Sequence, residues 1–229
     1  MNYPNFEEEK KLWKKGYKFV VGLDEAGRGP LAGPVVAGAV IINPKHEMRN
    51  PKQYRISSLG IRDSKQLSEK QRERLFKFLT RHQDIRWGIG IVSEKIIDKI
   101  NILEATKLAM QKAVENLKKD GWVHNSRYRA KSEPGVKVDF LLIDGNFRIK
   151  SNVPQKSIIK GDQKVVSISA ASIIAKVTRD RIMKKIHKKY PQYNFAKHKG
   201  YPTKLHREMI KKFGICPIHR KSFYPISSM

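Results

Sequence analysis

Cysteine is nearly absent from this 229-residue chain: Cys216 stands alone, so no internal disulfide can staple the fold and no thiolate cluster can hold zinc. Acids are scarce too, 21 Asp and Glu against 48 Lys and Arg, for a formal net charge of +27. A chain this basic is expected to meet a polyanion. No apolar run approaches the roughly 20 residues of a membrane helix; the longest extends from Val35 to Ile42. The amino terminus runs through Tyr3, Pro4 and Asn5 into Glu7, Glu8 and Glu9, without the basic-then-apolar order of a signal peptide. No membrane association is therefore expected, and a cytoplasmic location is. Apolar residues are not lacking: at 39%, with 9% aromatics, the composition is that of a globular chain able to bury a sizeable core.

The positive charge is unevenly spread. Residues 176–229 hold 15 Lys and Arg against only Asp180 and Glu208, and carry four of the seven histidines. Tyr190, Tyr193, Phe195, Tyr201 and Phe213 are interleaved with those lysines. Cations with aromatic rings between them suit phosphate contacts combined with stacking on sugars or bases. The plainer reading is a solvated basic helix face, but the excess extends over the whole chain.

Lys18 to Leu23 and Val35 to Ile42 read as strands joined by a glycine- and proline-rich loop too short for a crossover helix, which predicts antiparallel pairing. Ile85 to Val92 alternates Ile85, Trp87, Ile89 and Ile91 with smaller or polar residues, a third strand. Ser68 and Gln71 have the form of a capping box ahead of a helix carrying Leu75, Phe76 and Leu79. A further helix is expected from about Asn101 to Gly121, with Ala105, Leu108, Ala109, Ala113 and Leu117 on one stripe. Val138 to Ile143 reads as a central strand and Ser157 to Lys160 as a short one. A long helix over 164–189 is then ended by Tyr190-Pro191. Residues 43–60 and 121–137 read as long loops. The expectation is an α/β chain forming one domain over 1–229, a mixed five-stranded sheet flanked by helices, with 190–229 as a basic helical extension.

With so few acids, their positions carry information. Asp24 and Glu25 follow an apolar strand directly, Asp144 follows another, and Asp162 precedes the long helix. Functional groups of such sheets gather outside strand ends. Each acid also has an ordinary role open to it: Asp144-Gly145 as a turn, Asp162 as a helix cap, Asp24-Glu25 as the start of a loop. Jointly they form the pattern a metal nuclease needs. Clustered carboxylates repel unless cations intervene; Mg²⁺ or Mn²⁺ prefers oxygen ligands, and a pair of ions can activate water and stabilise the leaving oxygen of a phosphodiester.

At these residues the sequence resembles ribonuclease HII, the type 2 ribonuclease H family. The resemblance is carried by GLDEAGRGPLAGPVVAGAVII at 22–42, DSKQLS at 63–68, LIDGN at 142–146, KGDQKVVSISAASIIAKVTRDR at 160–181 and YPQYNFAKHKGYPTKLH at 190–206. It implies a ribonuclease H-like fold and a two-ion Mg²⁺ or Mn²⁺ site at Asp24, Glu25, Asp144 and Asp162. It also implies cleavage of RNA–DNA hybrids and nicking of duplex DNA 5′ of an embedded ribonucleotide, leaving 3′-hydroxyl and 5′-phosphate ends. Gly27, Arg28 and Gly29 would recognise the ribose 2′-hydroxyl, and Tyr201 would stack on the sugar at the DNA side of the junction. Lys65, and Lys176 or Arg179 on the long helix, are candidates for phosphate contact. Only 17 residues precede the first expected strand, too few for the amino-terminal domain typical of ribonuclease HIII. A monomer is expected.

The residue chemistry agrees with these roles. Telling ribose from deoxyribose requires touching the 2′-hydroxyl, and glycines let main-chain groups approach that closely. Two other classes fit the charge: a basic RNA- or ribosome-binding protein whose acids are only caps and turns, and a nuclease for branched DNA on the same fold. Ser169 and Ser172 read as packing residues, and His198, His206 and His219 as surface residues of a basic tail.

Overall fold

Two antiparallel strands begin the sheet, because the connection between them is too short to allow anything else. Val20–Ala26 (β1) and Val35–Ile42 (β2) pair with Asp24 opposite Gly38, and β2 pairs antiparallel with Ile85–Val92 (β3). Phe140–Asp144 (β4) lies parallel to β1 on its other side, with Leu23 beside Ile143, and Gln155–Ile158 (β5) lies parallel to β4. The order is β3-β2-β1-β4-β5, a mixed five-stranded sheet. The computed structural model describes residues 3–43, 60–118 and 137–229. The expected stop at Gly121 and most of the two long loops lie outside those residues.

Helices cover both faces. Glu7–Lys14 (α1) leads into β1, and Glu69–Leu79 (α2) starts at the Ser68–Gln71 capping box, which forms in full. Glu94–Lys118 (α3) lays Ala105, Ala109, Ala113 and Leu117 over Val21, Leu23, Ala37, Ala39, Leu141 and Ile143. Val166–Lys189 (α4) covers the opposite face, where Ala170, Ala171, Ile173 and Ile174 meet Val40, Ile42 and α2, and Ile168 meets Val20 and Leu142. Helix and sheet approach so closely that glycine is required at the crossings. A Cβ on Gly22 would lie 2.2 Å from the main chain of Ser167, and one on Gly90 would lie 1.9 Å from the Ala109 carbonyl.

α3 begins seven residues earlier than its sequence pattern indicates. The helix is broken at Asn101, whose φ of 64° and ψ of 169° are not helical, and Asn101 Oδ1 accepts from the N–H groups of Leu103 and Glu104 at 2.9 and 3.1 Å. Asn101 thus caps the second segment, while Glu94 to Ile100 form a separate preceding one. β5 starts two residues before its expected position, and β1 and β4 each extend far enough to include their acids.

After Tyr190 the chain forms single turns at Pro191–Tyr193 and Phe195–His198, then Lys204–Phe213 (α5). This segment is stitched to the loop that follows β1. Leu31 N donates to Gly200 O, Gly33 N to Ile218 O and Arg220 N to Leu31 O, each at 2.8 Å.

Candidate active site

Strand periodicity decides which acids converge. Asp24 shares its face of β1 with Val20 and Gly22, the face covered by α4, and Asp144 shares the corresponding face of β4 with Leu142. Asp162 sits in the turn Gly161–Gln163 just ahead of α4. The three carboxylates bring oxygens within 4.8 Å of one another. Asp144 Oδ1 is held by the Gly161 N–H at 2.7 Å, tying the β4 acid to the turn that carries Asp162. Glu25, next along β1, starts on the opposite face and is not in that trio. Its N–H donates to Asp24 Oδ1 at 2.7 Å, and its Oε1 lies 3.5 Å from Arg28 Nη1.

Burial and the repulsion of neighbouring carboxylates push Asp24, Asp162 and Glu25 toward their neutral forms. Asp24 is raised well above the ordinary carboxylate range by desolvation and then by Glu25, Asp144 and Asp162. Asp162 is pushed up to about 6 by desolvation and by Asp144. Glu25 is pushed up to about 7, chiefly by desolvation, with Arg28 opposing. Its Oε2 is buried without a hydrogen-bond partner among the described residues. An all-oxygen donor set, self-repelling and with an orphaned carboxylate oxygen beside it, fits hard divalent cations. Asp24, Asp144 and Asp162 could together hold a metal ion, and Glu25 is close enough to help raise the Asp24 carboxyl.

Lys65 is at the mouth. It stands 3.9 Å from Asp162 with its side chain 79% exposed, and its pKa is raised because Asp63, Asp162, Asp24 and Asp144 together outweigh desolvation. Asp63, in the DSKQLS segment, is a further acid beside the site that is not among the sequence-derived candidates. It is buried, it accepts from Lys65 N at 2.9 Å, and its Oδ2 faces Gln163 Nε2 at 3.4 Å. An acid opening a 3₁₀ turn was the available signal.

Gly27, Arg28 and Gly29 continue directly from β1 beyond Glu25. The Arg28 guanidinium is 6.0 Å from the Phe147 ring centroid. Tyr201, 39% exposed, borders the loop from the carboxy-terminal segment: a Cβ on Gly29 would find its ring at 3.9 Å and nothing nearer. Lys176 Nζ and Arg179 Cζ approach that ring at 5.9 and 6.0 Å.

Arg179 is not available to a phosphate. It is 1% exposed, and its donors are taken by the carbonyls of Pro34, Lys199 and Ala32 at 2.9, 3.0 and 3.1 Å. Lys176 is partly buried and bonded to Asp180 at 2.8 Å. Ser169 and Ser172 are buried on α4, and Ser172 Oγ accepts from Ser64 N at 3.3 Å. The histidines also differ from their expected surface placement. His198, His206 and His219 are all buried, with His198 and His206 stacked 4.4 Å apart. Cys216 N donates to His219 Nδ1 at 2.9 Å, the two Nε2 atoms of His219 and His206 are 3.1 Å apart, and His206 Nδ1 faces the Tyr201 carbonyl at 2.9 Å. With both rings neutral the chain is satisfied when His219 donates to His206 and His206 to Tyr201 O. The imidazoles therefore hold the main chain that carries Tyr201.

A mixed sheet in this order, with carboxylates gathered where β1 and β4 end beside the long helix, defines a divalent-metal-dependent nuclease hydrolase of ribonuclease H architecture. Comparison with known proteins makes the assignment specific. The profile of the family described as ribonuclease HII matches residues 21–225. Ribonuclease HII of Acetivibrio thermocellus is 53% identical over 94% of this chain and 73% of its own length. That of Syntrophus aciditrophicus is 47% identical over 94% and 88%. The crystal structure of ribonuclease H2 from Pyrococcus horikoshii superposes with a TM-score of 0.64 at 30% identity, covering 92% of this chain and 96% of that one. The chain belongs to the ribonuclease HII family, and ribonuclease H activity follows from that membership. No helix among the described residues is long and apolar enough to cross a membrane.

Proposed function

We propose that this chain cleaves the RNA strand of RNA–DNA hybrids and nicks duplex DNA on the 5′ side of a single embedded ribonucleotide, leaving 3′-hydroxyl and 5′-phosphate ends. The observation that carries the reading is the continuity of β1. One strand presents Asp24 to the three-carboxylate cluster and passes within five residues into the Gly27-Arg28-Gly29 loop beside Tyr201. A contact that senses ribose is thereby rigidly linked to the group that cuts next to it.

In this reading Asp24, Glu25, Asp144 and Asp162 hold two Mg²⁺ or Mn²⁺ ions. Such ions, when bound, activate water and stabilise the leaving oxygen of an in-line displacement. Asp144, fixed by the Gly161 amide, and Asp162, on its turn, keep the donor set in register. Lys65 offers its exposed ammonium to a phosphate at the mouth. The glycines of the 27–29 loop admit the ribose to main-chain contact, and the Tyr201 ring supports the neighbouring sugar. The basic carboxy-terminal quarter retains the rest of the duplex through its phosphates.

The test is a duplex carrying one ribonucleotide, incubated with Mg²⁺ or Mn²⁺ beside all-DNA, RNA–DNA hybrid and branched-DNA controls. A nick on the 5′ side of the ribonucleotide, with all-DNA duplex intact, is expected. Equal cutting of all-DNA duplex, or preferential cutting of branched DNA lacking ribose, rejects the proposal.

A further inference from the structure

Arg220, in the carboxy-terminal segment, has no exposed surface, and its guanidinium is engaged by main-chain oxygens of the loop after β1. Nε and Nη2 donate to Gly33 O at 3.0 and 2.8 Å, Nη2 also donates to Gly27 O at 2.6 Å, and Nη1 donates to Arg28 O at 2.9 Å. The Phe223 ring lies 4.9 Å from Cζ. Nearby Asp98 is occupied elsewhere, accepting from Lys221 N at 3.0 Å and from Ser222 N and Oγ at 3.0 and 2.7 Å. A buried guanidinium without a bonded carboxylate is a poor source of stability, which leaves open what it achieves here.

Peptide planarity supplies an answer. The Gly27 carbonyl shares a plane with the Arg28 N–H, and the Arg28 carbonyl with the Gly29 N–H. In a trans peptide the two groups point opposite ways. One guanidinium drawing both carbonyls inward therefore turns both N–H groups outward. Among the described residues neither N–H meets a hydrogen-bond acceptor, and the space at Gly29 is open as far as Tyr201. Gly27 adopts the required φ of +102°.

We infer that Arg220 is a positioning residue for ribose recognition, fixing the loop so that the Arg28 and Gly29 N–H groups stand ready to donate to the 2′-oxygen. The inference rests on the reading of this loop given under Proposed function. Its physical content is preorganisation: without the fork, each peptide rotates freely and the donor pair must be assembled at every encounter.

Arg220→Lys keeps the charge but replaces a planar fork by one ammonium, which cannot span three carbonyls. In the full-length protein, kcat on the single-ribonucleotide duplex should fall by about 10²-fold, as for a misplaced contact near the reacting centre. KM should stay within about threefold, because the phosphate-binding surface is unchanged. The penalty for replacing the ribonucleotide by its 2′-deoxy counterpart, measured at single turnover, should shrink by a similar factor. Amide hydrogen exchange over residues 26–34 should accelerate while the rest of the protein stays protected. A variant with a lower melting temperature but an unchanged kcat and an unchanged ribose preference would show Arg220 to be merely structural and overturn the inference. A wild-type protein without ribose preference sinks the underlying loop reading instead. Should Arg220→Lys fail to fold, Phe223→Leu decides the matter: it withdraws the ring beside the guanidinium and leaves the donors in place, so the same selective loss is expected in milder form, and its absence overturns the inference.

Discussion

Replacing Gly22 by alanine should damage stability and catalysis through one displacement. The added Cβ would lie 2.2 Å from Ser167 C, 2.4 Å from Ile168 N and 2.6 Å from Ser167 O. All three are main-chain atoms of α4, so no side chain can swing aside. Restoring an ordinary carbon–carbon separation of about 3.5 Å moves the helix roughly 1.3 Å off β1. Overpacking of this kind costs about 1–3 kcal/mol, and the rigid neighbours place it toward the upper figure. Asp24 lies two residues beyond Gly22, and Asp162 sits on the turn leading into α4, so the same movement widens the carboxylate cluster. A misplacement near 1 Å at reacting groups costs on the order of 10²-fold in rate. Urea denaturation measures the first effect; single-turnover cleavage, well below the unfolding transition and across a range of Mn²⁺ concentrations, measures the second and should show a raised metal requirement. A Gly22→Ala protein within about 0.5 kcal/mol of wild type, with an unchanged cleavage rate, would refute the account of how helix and strand set the site.

Saturating Mg²⁺ or Mn²⁺ should raise the melting temperature, by an amount equivalent to about 2.7 kcal/mol at a hundredfold excess over Kd. Asp24→Asn should abolish both the metal-dependent shift and cleavage; a shift that survives the substitution would argue against ligation there. Desolvation pushes His206 and His219 down to about 4, below their unfolded value, so their contribution to stability is present above about pH 6.5 and is lost as pH falls through 4, by up to about 3 kcal/mol for each ring. Glu9, buried against Ser167 N and pushed up to about 7 by desolvation, has the opposite sign: its contribution is present below about pH 4.5 and lost as pH rises through 7. The two effects partly cancel, so Glu9→Gln should steepen the acid loss seen by chemical denaturation between pH 7 and 4.5; an unchanged slope counts against that assignment. Binding of a ribonucleotide-containing duplex should weaken steeply between 50 and 200 mM salt as phosphate contacts release counterions, and a flat dependence would exclude the basic surface as the binding face.

β2 and β3 are legible to the residue, β2 as an unbroken apolar run after a glycine- and proline-rich loop and β3 from side chains that fall into a period of two. The capping box likewise marks α2 from four residues. Glu94 to Ile100 were not readable as helix because Asn101 looks like a beginning, and a cap between two helical segments carries the same local signal as a cap after a loop. At the site, two acids following apolar strands and one preceding the long helix signal the convergence of Asp24, Asp144 and Asp162. Their neighbour Glu25 follows the same strand, and alternation along β1 starts its side chain on the other face. Arg179 and the three histidines looked like surface groups because a cation in a basic segment has no local mark of burial. Their partners are carbonyls at residues 32, 34, 193, 199 and 201, which only the tertiary fold brings near. Arg220 gave no periodic or motif signal at all.

The sheet order has a consequence for synthesis. β1 is among the first strands translated, yet its parallel neighbour β4 begins at Phe140 and the turn bearing Asp162 comes later still. A chain still being made holds one acid of the three, with no opposing oxygens to share a cation, until about two thirds of its length has left the ribosome. The three-carboxylate cluster is thus completed only when segments far apart in the chain have met, and no single stretch of sequence carries it alone.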